Sequence, residues 1–299
     1  MKLATSTGDF RGYTTSQAEA MRHIHEAGFR YVDYNFCMDS DNRTGAYQAD
    51  WRHHTQTVGE LAETLGVRFI QAHAPMGRPI AENNAGIIAD TVRCIEVCSM
   101  LGIPNLVVHT GYEQGLSIAE TFERNKAFFT PLLQVAETYG VNILVENFNK
   151  MCIDGLYWID NAKDLLALIE YIDHPLLHAV WDAGHANMQE MPQDEELRLL
   201  GKHVYALHVQ DNMGNTDSHL PPFCGTLSLD SLMHGLKDIG YTGYFTFEAL
   251  SRFQDEDKRR SFAEDTRLLR PPLALRMAEE KLLYETGKCI LSAYDCFEE

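Results

Sequence analysis

Short runs rich in apolar and β-branched residues recur along the chain. Each is followed by a longer stretch whose apolar positions return every three or four residues. The short runs predict strands at Lys2–Ser6, Tyr31–Phe36, Arg68–His73, Asn105–Thr110, Asn142–Asn147, Leu177–Asp182, Val204–Gln210 and Tyr244–Glu248. The longer stretches predict helices at Ser16–Ala27, Ala49–Leu65, Ala81–Leu101, Ile118–Tyr139, Ala162–Ile172, Glu195–Gly201 and Leu229–Ile239. Within the fourth of these, Ile118, Phe122, Phe129, Leu132, Leu133 and Val135 fall mostly three, four or seven apart. Ser117 followed by Glu120 reads as a capping box at its start. Gly28, Gly66, Gly102, Gly140 and Gly240 stand where helices need a left-handed closing residue.

Eight strand–helix alternations of about 35 residues predict an α/β fold of the (β/α)8 TIM-barrel type. A doubly wound open sheet is the rival, but no GxGxxG follows the first strand, so no nucleotide cofactor is expected. No linker, low-complexity segment or break in composition divides the chain. Residues 1–299 are therefore expected to form a single domain, with the barrel over about 2–250 and a C-terminal helical extension over 251–299. That extension carries the mixed-charge stretch Asp255–Arg260 and a helical run from Pro272 to Thr286. Its expected use is as the eighth helix and a packed tail, with a homo-oligomer contact as the second use.

Charge narrows the partners. Lys and Arg total 25 against 43 Asp and Glu, a formal net charge of −18. Such a chain repels a phosphate backbone unless its basic groups are gathered in one place, so nucleic acid is not an expected partner. No apolar run approaches the roughly 18 residues that a membrane helix needs, and no membrane partner is expected. The seven cysteines (Cys37, Cys94, Cys98, Cys152, Cys224, Cys289 and Cys296) include no CxxC pair. That usage, with no apolar leader at the N-terminus, leads to the expectation of a reduced, cytoplasmic setting. Cys94 and Cys98, four apart in a helix, are expected to be buried as small apolar residues.

In a barrel of this type the chemistry lies at the C-terminal ends of the strands. His73, His109, Glu146, Asp182 with His185, His208, and Glu248 stand at the ends of six consecutive strands, and Asp217 and His219 lie in the loop after the seventh. A lone histidine or glutamate at a strand end is more often structural than functional. Nine such residues on one face are another matter, because converging carboxylates repel and lose hydration unless a cation joins them. Imidazoles and carboxylates together suit Zn, Mn, Co or Fe better than Ca. The other histidines (His23, His25, His53, His54, His174, His178, His203 and His234) fall in helices or at strand starts and are given no role.

Three motifs, Val145-Glu146-Asn147, Trp181-Asp182-Ala183-Gly184-His185 and His208-Val209-Gln210-Asp211-Asn212, closed by Phe247-Glu248, make the chain resemble the xylose isomerase-like TIM barrels. That family comprises sugar isomerases and epimerases together with the family 2 apurinic endonucleases. The resemblance covers about residues 2–250. It implies that Glu146, Asp182, His208 and Glu248 hold a divalent metal (Mn, Zn, Co or Mg), with His73, His109, His185, Asp217 and His219 as possible additional ligands.

The expected activity is isomerisation or epimerisation of a small polyhydroxy carbonyl compound, by proton abstraction through a metal-stabilised enediolate. Glu146 and Glu248 are the expected acid/base pair. His185 is expected to bond a substrate oxygen, with Trp181, Phe36 and Phe148 as apolar walls. A dehydratase or β-eliminating lyase acting on an oxidised sugar or inositol would use the same residues. A zinc-cluster phosphodiesterase is a third reading, weakened because the loop Asn212–Gly225 contains no Lys or Arg. Ketose 3-epimerases of the family usually carry an Arg about six residues past the strand-seven histidine. Gly214 stands there instead.

Overall fold

The computed structural model describes residues 1–149, 159–189, 191–250 and 271–299. Lys150, Cys152 and the mixed-charge stretch 255–260 lie outside the described residues. Eight parallel strands form a nearly closed barrel: β1 Lys2–Ser6, β2 Tyr31–Asn35, β3 Arg68–His73, β4 Asn105–Val108, β5 Asn142–Glu146, β6 Leu177–Asp182, β7 Val204–His208 and β8 Tyr244–Thr246. Strands β1 to β7 pair consecutively in sequence order, and β1 also pairs with β8. Between β7 and β8 the described residues share one bridge, Val209 with Phe247. It is made by Val209 N–H to the Thr246 carbonyl at 2.8 Å and Glu248 N–H to the Val209 carbonyl at 3.1 Å.

Five strands stop one or two residues short of their predicted ends, because there the chain leaves the ladder to form the loops of the site. The helices flanking the barrel are α1 Gln17–Ala27, α2 Cys37–Asn42, α3 Trp51–Leu65, α4 Ala85–Leu101, α5 Ile118–Tyr139, α6 Ala162–Ile172, α7 Ala183–Asn187, α8 Gln193–Leu200, α9 Leu229–Asp238 and α10 Leu273–Ala293. Ser117 and Glu120 form the predicted capping box reciprocally. Gly28, Gly66, Gly102 and Gly140 take the left-handed closing conformation. No helix among the described residues is long and apolar enough to cross a membrane.

The sequence pattern does not predict α2 or α7. Helix α7 is a five-residue turn started by Asp182, whose Oδ1 accepts the His185 N–H at 2.6 Å. The last helix, α10, runs on past the predicted end at Thr286. Gly287 broke the apolar pattern there because the helix crosses the barrel wall very closely: a Cβ on Gly287 would stand 2.6 Å from Leu3 and 2.9 Å from Phe247.

Side chains alternate along each strand. The outward set, including Phe245, Phe247, Trp181, Tyr34 and Ile143, joins the buried helix faces in one apolar layer, which also contains Cys94 and Cys98 as predicted. The inward set begins with Val107, Leu144, Val180 and Ala206, contributed by four successive strands. Two residues further along the same strands come His109, Glu146, Asp182 and His208.

Helix α10 is tied to the site end of the barrel by Arg276, which is 1% exposed. Its guanidinium donates to Glu279 Oε2 at 2.9 Å, Glu280 Oε2 at 2.6 Å, the Asp9 carbonyl at 3.0 Å and the Ala249 carbonyl at 3.4 Å. The Thr5 hydroxyl lies 2.6 Å from Asp9 Oδ2 and 2.9 Å from Glu280 Oε1. One hydroxyl has one proton to donate, so the second of these contacts needs a proton on a carboxyl group. Burial, reinforced by the Glu280 charge, holds Asp9 well above the usual carboxylate range, which fits that sharing.

Candidate metal centre

All nine residues singled out at the strand ends converge at the C-terminal mouth of the barrel. Their ligand atoms fall into three groups: His73, His109 and Glu146; His185, Asp217 and His219; and Glu146, Asp182, His208 and Glu248. Within each group the atoms lie within 4.8 Å of one another. Glu146 belongs to two groups and is buried. Its Oε2 accepts His109 Nε2–H at 2.6 Å, and its Oε1 accepts His208 Nδ1–H at 2.9 Å. Its side chain is 1% exposed, whereas that of Glu248 is 15% exposed, with Oε2 at 3.4 Å from His208 Nδ1.

Electrostatics follow from this crowding. Burial alone would push the Glu146 carboxyl up, but the His208, His109 and His73 imidazoles around it hold it well below the usual range. At Asp182 burial wins: together with the Glu146 and Glu248 charges it outweighs the nearby His185 and His208 imidazoles and pushes the carboxyl up to about 7. Its Oδ2 is buried with no hydrogen-bond partner. Burial works against charge at His208, yet Glu248, Glu146 and Asp33 outweigh it and raise its pKa. His185 is likewise raised, to about 10, by Asp182 and Asp217 against burial. His109 goes the other way, lowered by burial and by the neighbouring His73 and His185. The protonated imidazoles thus supply the positive charge that the buried carboxylates require.

A divalent cation would supply the same charge. The idle Oδ2 of Asp182 and the mixed N/O donor set of Glu146, Asp182, His208 and Glu248 fit such an ion.

Hydrogen bonds fix which face each imidazole presents. His73, His185 and His219 each donate Nδ1–H to a main-chain carbonyl, those of Ala74, Asn147 and Glu248, at 2.8, 2.9 and 2.9 Å. Their Nε2 atoms are thereby left for the mouth. Asn147 also clamps β5 to β6, its side chain bonding the Asp182 N–H at 2.7 Å and the Asp182 carbonyl at 2.9 Å. Gln210 Nε2 donates to Asp217 Oδ1 at 2.9 Å and reaches Asp182 Oδ1 at 3.4 Å. It fits there because residue 184 is glycine: a Cβ on Gly184 would stand 2.0 Å from Gln210 Cδ.

The apolar walls divide. Phe148 lies between two groups, its ring 4.9 Å from that of His109 and 4.6 Å from that of His185. Trp181 does not face the mouth. It precedes the inward Asp182, so it points outward, and its indole N–H donates to Gln193 on α8 at 3.2 Å. Phe36 packs on Tyr34 at 4.6 Å between ring centres, on the helix side of β2. Both are core residues rather than walls of the mouth. Sequence reasoning gave no role to Asp33 or Gln210; the available signal was an inward position, two residues along a strand or motif from other polar residues.

Comparison with known proteins agrees with the barrel fold. The profile of the family described as "Xylose isomerase-like TIM barrel" matches residues 21–271. An uncharacterized protein of Methanocaldococcus jannaschii is 31% identical over 200 residues, which cover 63% of this chain and 67% of that protein. Fructoselysine 3-epimerase of Escherichia coli O157:H7 is 29% identical over 132 residues, 42% of this chain. The match spans 45% of the length of that enzyme. Among solved structures, a D-tagatose 3-epimerase-like protein superposes with a TM-score of 0.71 at 22% identity, covering 96% of this chain and 99% of the other. At that identity the likeness shows the fold alone.

Proposed function

This chain belongs to the xylose isomerase-like TIM barrel family, and on that premise we propose that it is a divalent-metal-dependent isomerase or epimerase of a sugar or sugar derivative. The observation that carries this reading is the group Glu146, Asp182, His208 and Glu248, gathered at the barrel mouth with Asp182 Oδ2 buried and accepting no hydrogen bond. The partial match to fructoselysine 3-epimerase supports a ketose-like substrate. A bound cation would act as a Lewis acid, drawing charge from the substrate carbonyl as the neighbouring C–H proton leaves.

The chain's own residues do the rest. Glu146 and Glu248 reach the mouth from β5 and from just past the end of β8, so they flank a substrate from different sides. One takes the proton from carbon, and the other returns a proton to the opposite face or to the adjacent carbon. Glu248, the more exposed of the two, meets the substrate at the lip, while Glu146 works from the depth of the imidazole ring. His185 holds a substrate oxygen through Nε2, and Phe148 supplies the apolar wall.

A second reading, phosphoester hydrolysis by a metal cluster, is favoured by one observation: the groups His73/His109/Glu146 and His185/Asp217/His219 flank the first. Elemental mass spectrometry on untagged protein, followed by solvent-deuterium incorporation into a panel of ketoses and ketosides, separates the two. About one metal per chain with deuterium at the epimerised carbon supports the isomerase. Two to three zinc ions per chain, with phosphodiester turnover and no deuterium uptake, would overturn it.

A further inference from the structure

We propose that Asp33, on β2, is a positioning residue that fixes His208 so that its Nδ1 faces the cation. The inference rests on the reading of Glu146, Asp182, His208 and Glu248 as a metal centre. Asp33 lies in the barrel interior and is 1% exposed. Its Oδ2 accepts His208 Nε2–H at 3.2 Å across the barrel. The same oxygen accepts Gln71 Nε2–H at 2.8 Å. Gln71 is itself oriented, because its Oε1 accepts the Thr246 hydroxyl at 3.3 Å. Strands β2, β3 and β8 thus build a polar shelf beneath the centre, opposite the apolar set Val107, Leu144, Val180 and Ala206.

Two features argue that the carboxylate serves His208 rather than the shelf alone. First, a buried carboxyl oxygen left without a hydrogen bond is costly, and Oδ1 of Asp33 has no hydrogen-bond partner. A shelf that needed only to satisfy Gln71 would be served by a neutral side chain. Second, His208 differs from the other histidines of the mouth. His73, His185 and His219 are held through Nδ1 by main-chain carbonyls and offer Nε2. His208 is held through Nε2 by a carboxylate and offers Nδ1, the nitrogen 2.9 Å from Glu146 and 3.4 Å from Glu248. A carboxylate behind a ligating imidazole fixes its tautomer and ring orientation and raises its basicity. Asp33 therefore sets both the direction and the donor strength of the one imidazole in the four-residue group.

The test compares wild type with Asp33→Asn, which keeps shape and removes charge, and with Asp182→Asn as a ligand-loss control. Zinc affinity is measured by chelator competition, and the fold is checked by circular dichroism. Asp33→Asn is expected to weaken zinc binding by about 10- to 100-fold with the fold retained. A second readout is independent of affinity: nitrogen-15 histidine spectra of the zinc-loaded wild type, with His208 assigned through His208→Gln. They are expected to show His208 protonated at Nε2 and metallated at Nδ1, with the Nε2–H signal shifted in Asp33→Asn and those of His73, His185 and His219 unmoved. Equal zinc affinity in Asp33→Asn and wild type, while Asp182→Asn binds weakly, would overturn the role of Asp33 and leave the centre standing. Nδ1 protonation of His208 in zinc-loaded wild type would overturn it even if Asp33→Asn failed to fold. A wild type that binds no zinc or manganese would overturn the metal centre and this inference together.

Discussion

Arg276 is the sharpest test of how the C-terminal helix is held. Its guanidinium is the cation bonded within a buried set of three carboxylates, Asp9, Glu279 and Glu280. Arg276→Met keeps the length and apolar stem of the side chain and removes the charge. Removing one partner from a buried ion pair typically costs about 3–5 kcal/mol, because the remaining charge is left uncompensated. At roughly 2–4 °C per kcal/mol for chains of this order, the melting temperature should fall by about 6–20 °C. The pH dependence gives the argument its sign. Asp9 and Glu280 are already raised, chiefly by burial, so between the unfolded value of about 4 and their folded values the native state holds more protons than the unfolded one. Stability from this cluster is therefore lost as pH rises through that window. Without Arg276 both carboxyls rise further, and the loss should be larger at pH 8 than at pH 5. Urea unfolding followed by circular dichroism at the two pH values measures it. The triple variant R276M/D9N/E280Q should recover part of the loss, since two of the three uncompensated carboxylates are gone. A midpoint unchanged by Arg276→Met, or a loss greater at pH 5, would refute the reasoning.

Other outcomes follow from the site and the barrel floor. If the proposed isomerase reading holds, Glu146→Gln and Glu248→Gln should each abolish turnover, with circular dichroism showing at most partial loss of fold; activity in both variants would discard the acid/base pair. Gly184→Ala should be harmful although alanine is the better helix former by about 1 kcal/mol. Its Cβ would occupy the place of the Gln210 amide, so a melting curve should show a loss of roughly 1–3 kcal/mol and not a gain. At the opposite end of the barrel, burial and the neighbouring His203 lower His178 to about 4, and its ring stacks on Tyr205 at 3.5 Å. The unfolded chain takes up that proton near pH 6.5, so stability should fall as pH drops from about 6.5 toward 4. His178→Phe should flatten that slope in pH-dependent unfolding, and an unchanged slope would assign the effect elsewhere.

Much of this was legible in the chain. Strand positions were readable because each run carries its own inward–outward alternation, and the nine mouth residues emerged because polar side chains recurred at strand ends. Trp181 and Phe36 were misread although the same alternation places them: a residue beside the inward Asp182 must face the helices. The short helices α2 and α7 left no periodic trace, since one turn started by a local cap contains too few residues to repeat. Gly287 hid the last third of α10, because the small side chain that close packing demands is one that a propensity reading takes for an end. Asp33 and Gln210 were missed for a different reason. The Asp33–His208 pair joins residues 175 apart in sequence, and no local pattern encodes such a partner.

The single bridge between β7 and β8 gives the centre an architectural meaning. His208 stands on one bank of that gap and Glu248 on the other. A cation gripped by both would rivet the hoop where its backbone stitching is thinnest, making the ion a keystone as much as a reagent. The grip can exist only after β1 has met β8 across nearly the whole length of the chain, so ion binding would register a ring that has finished closing.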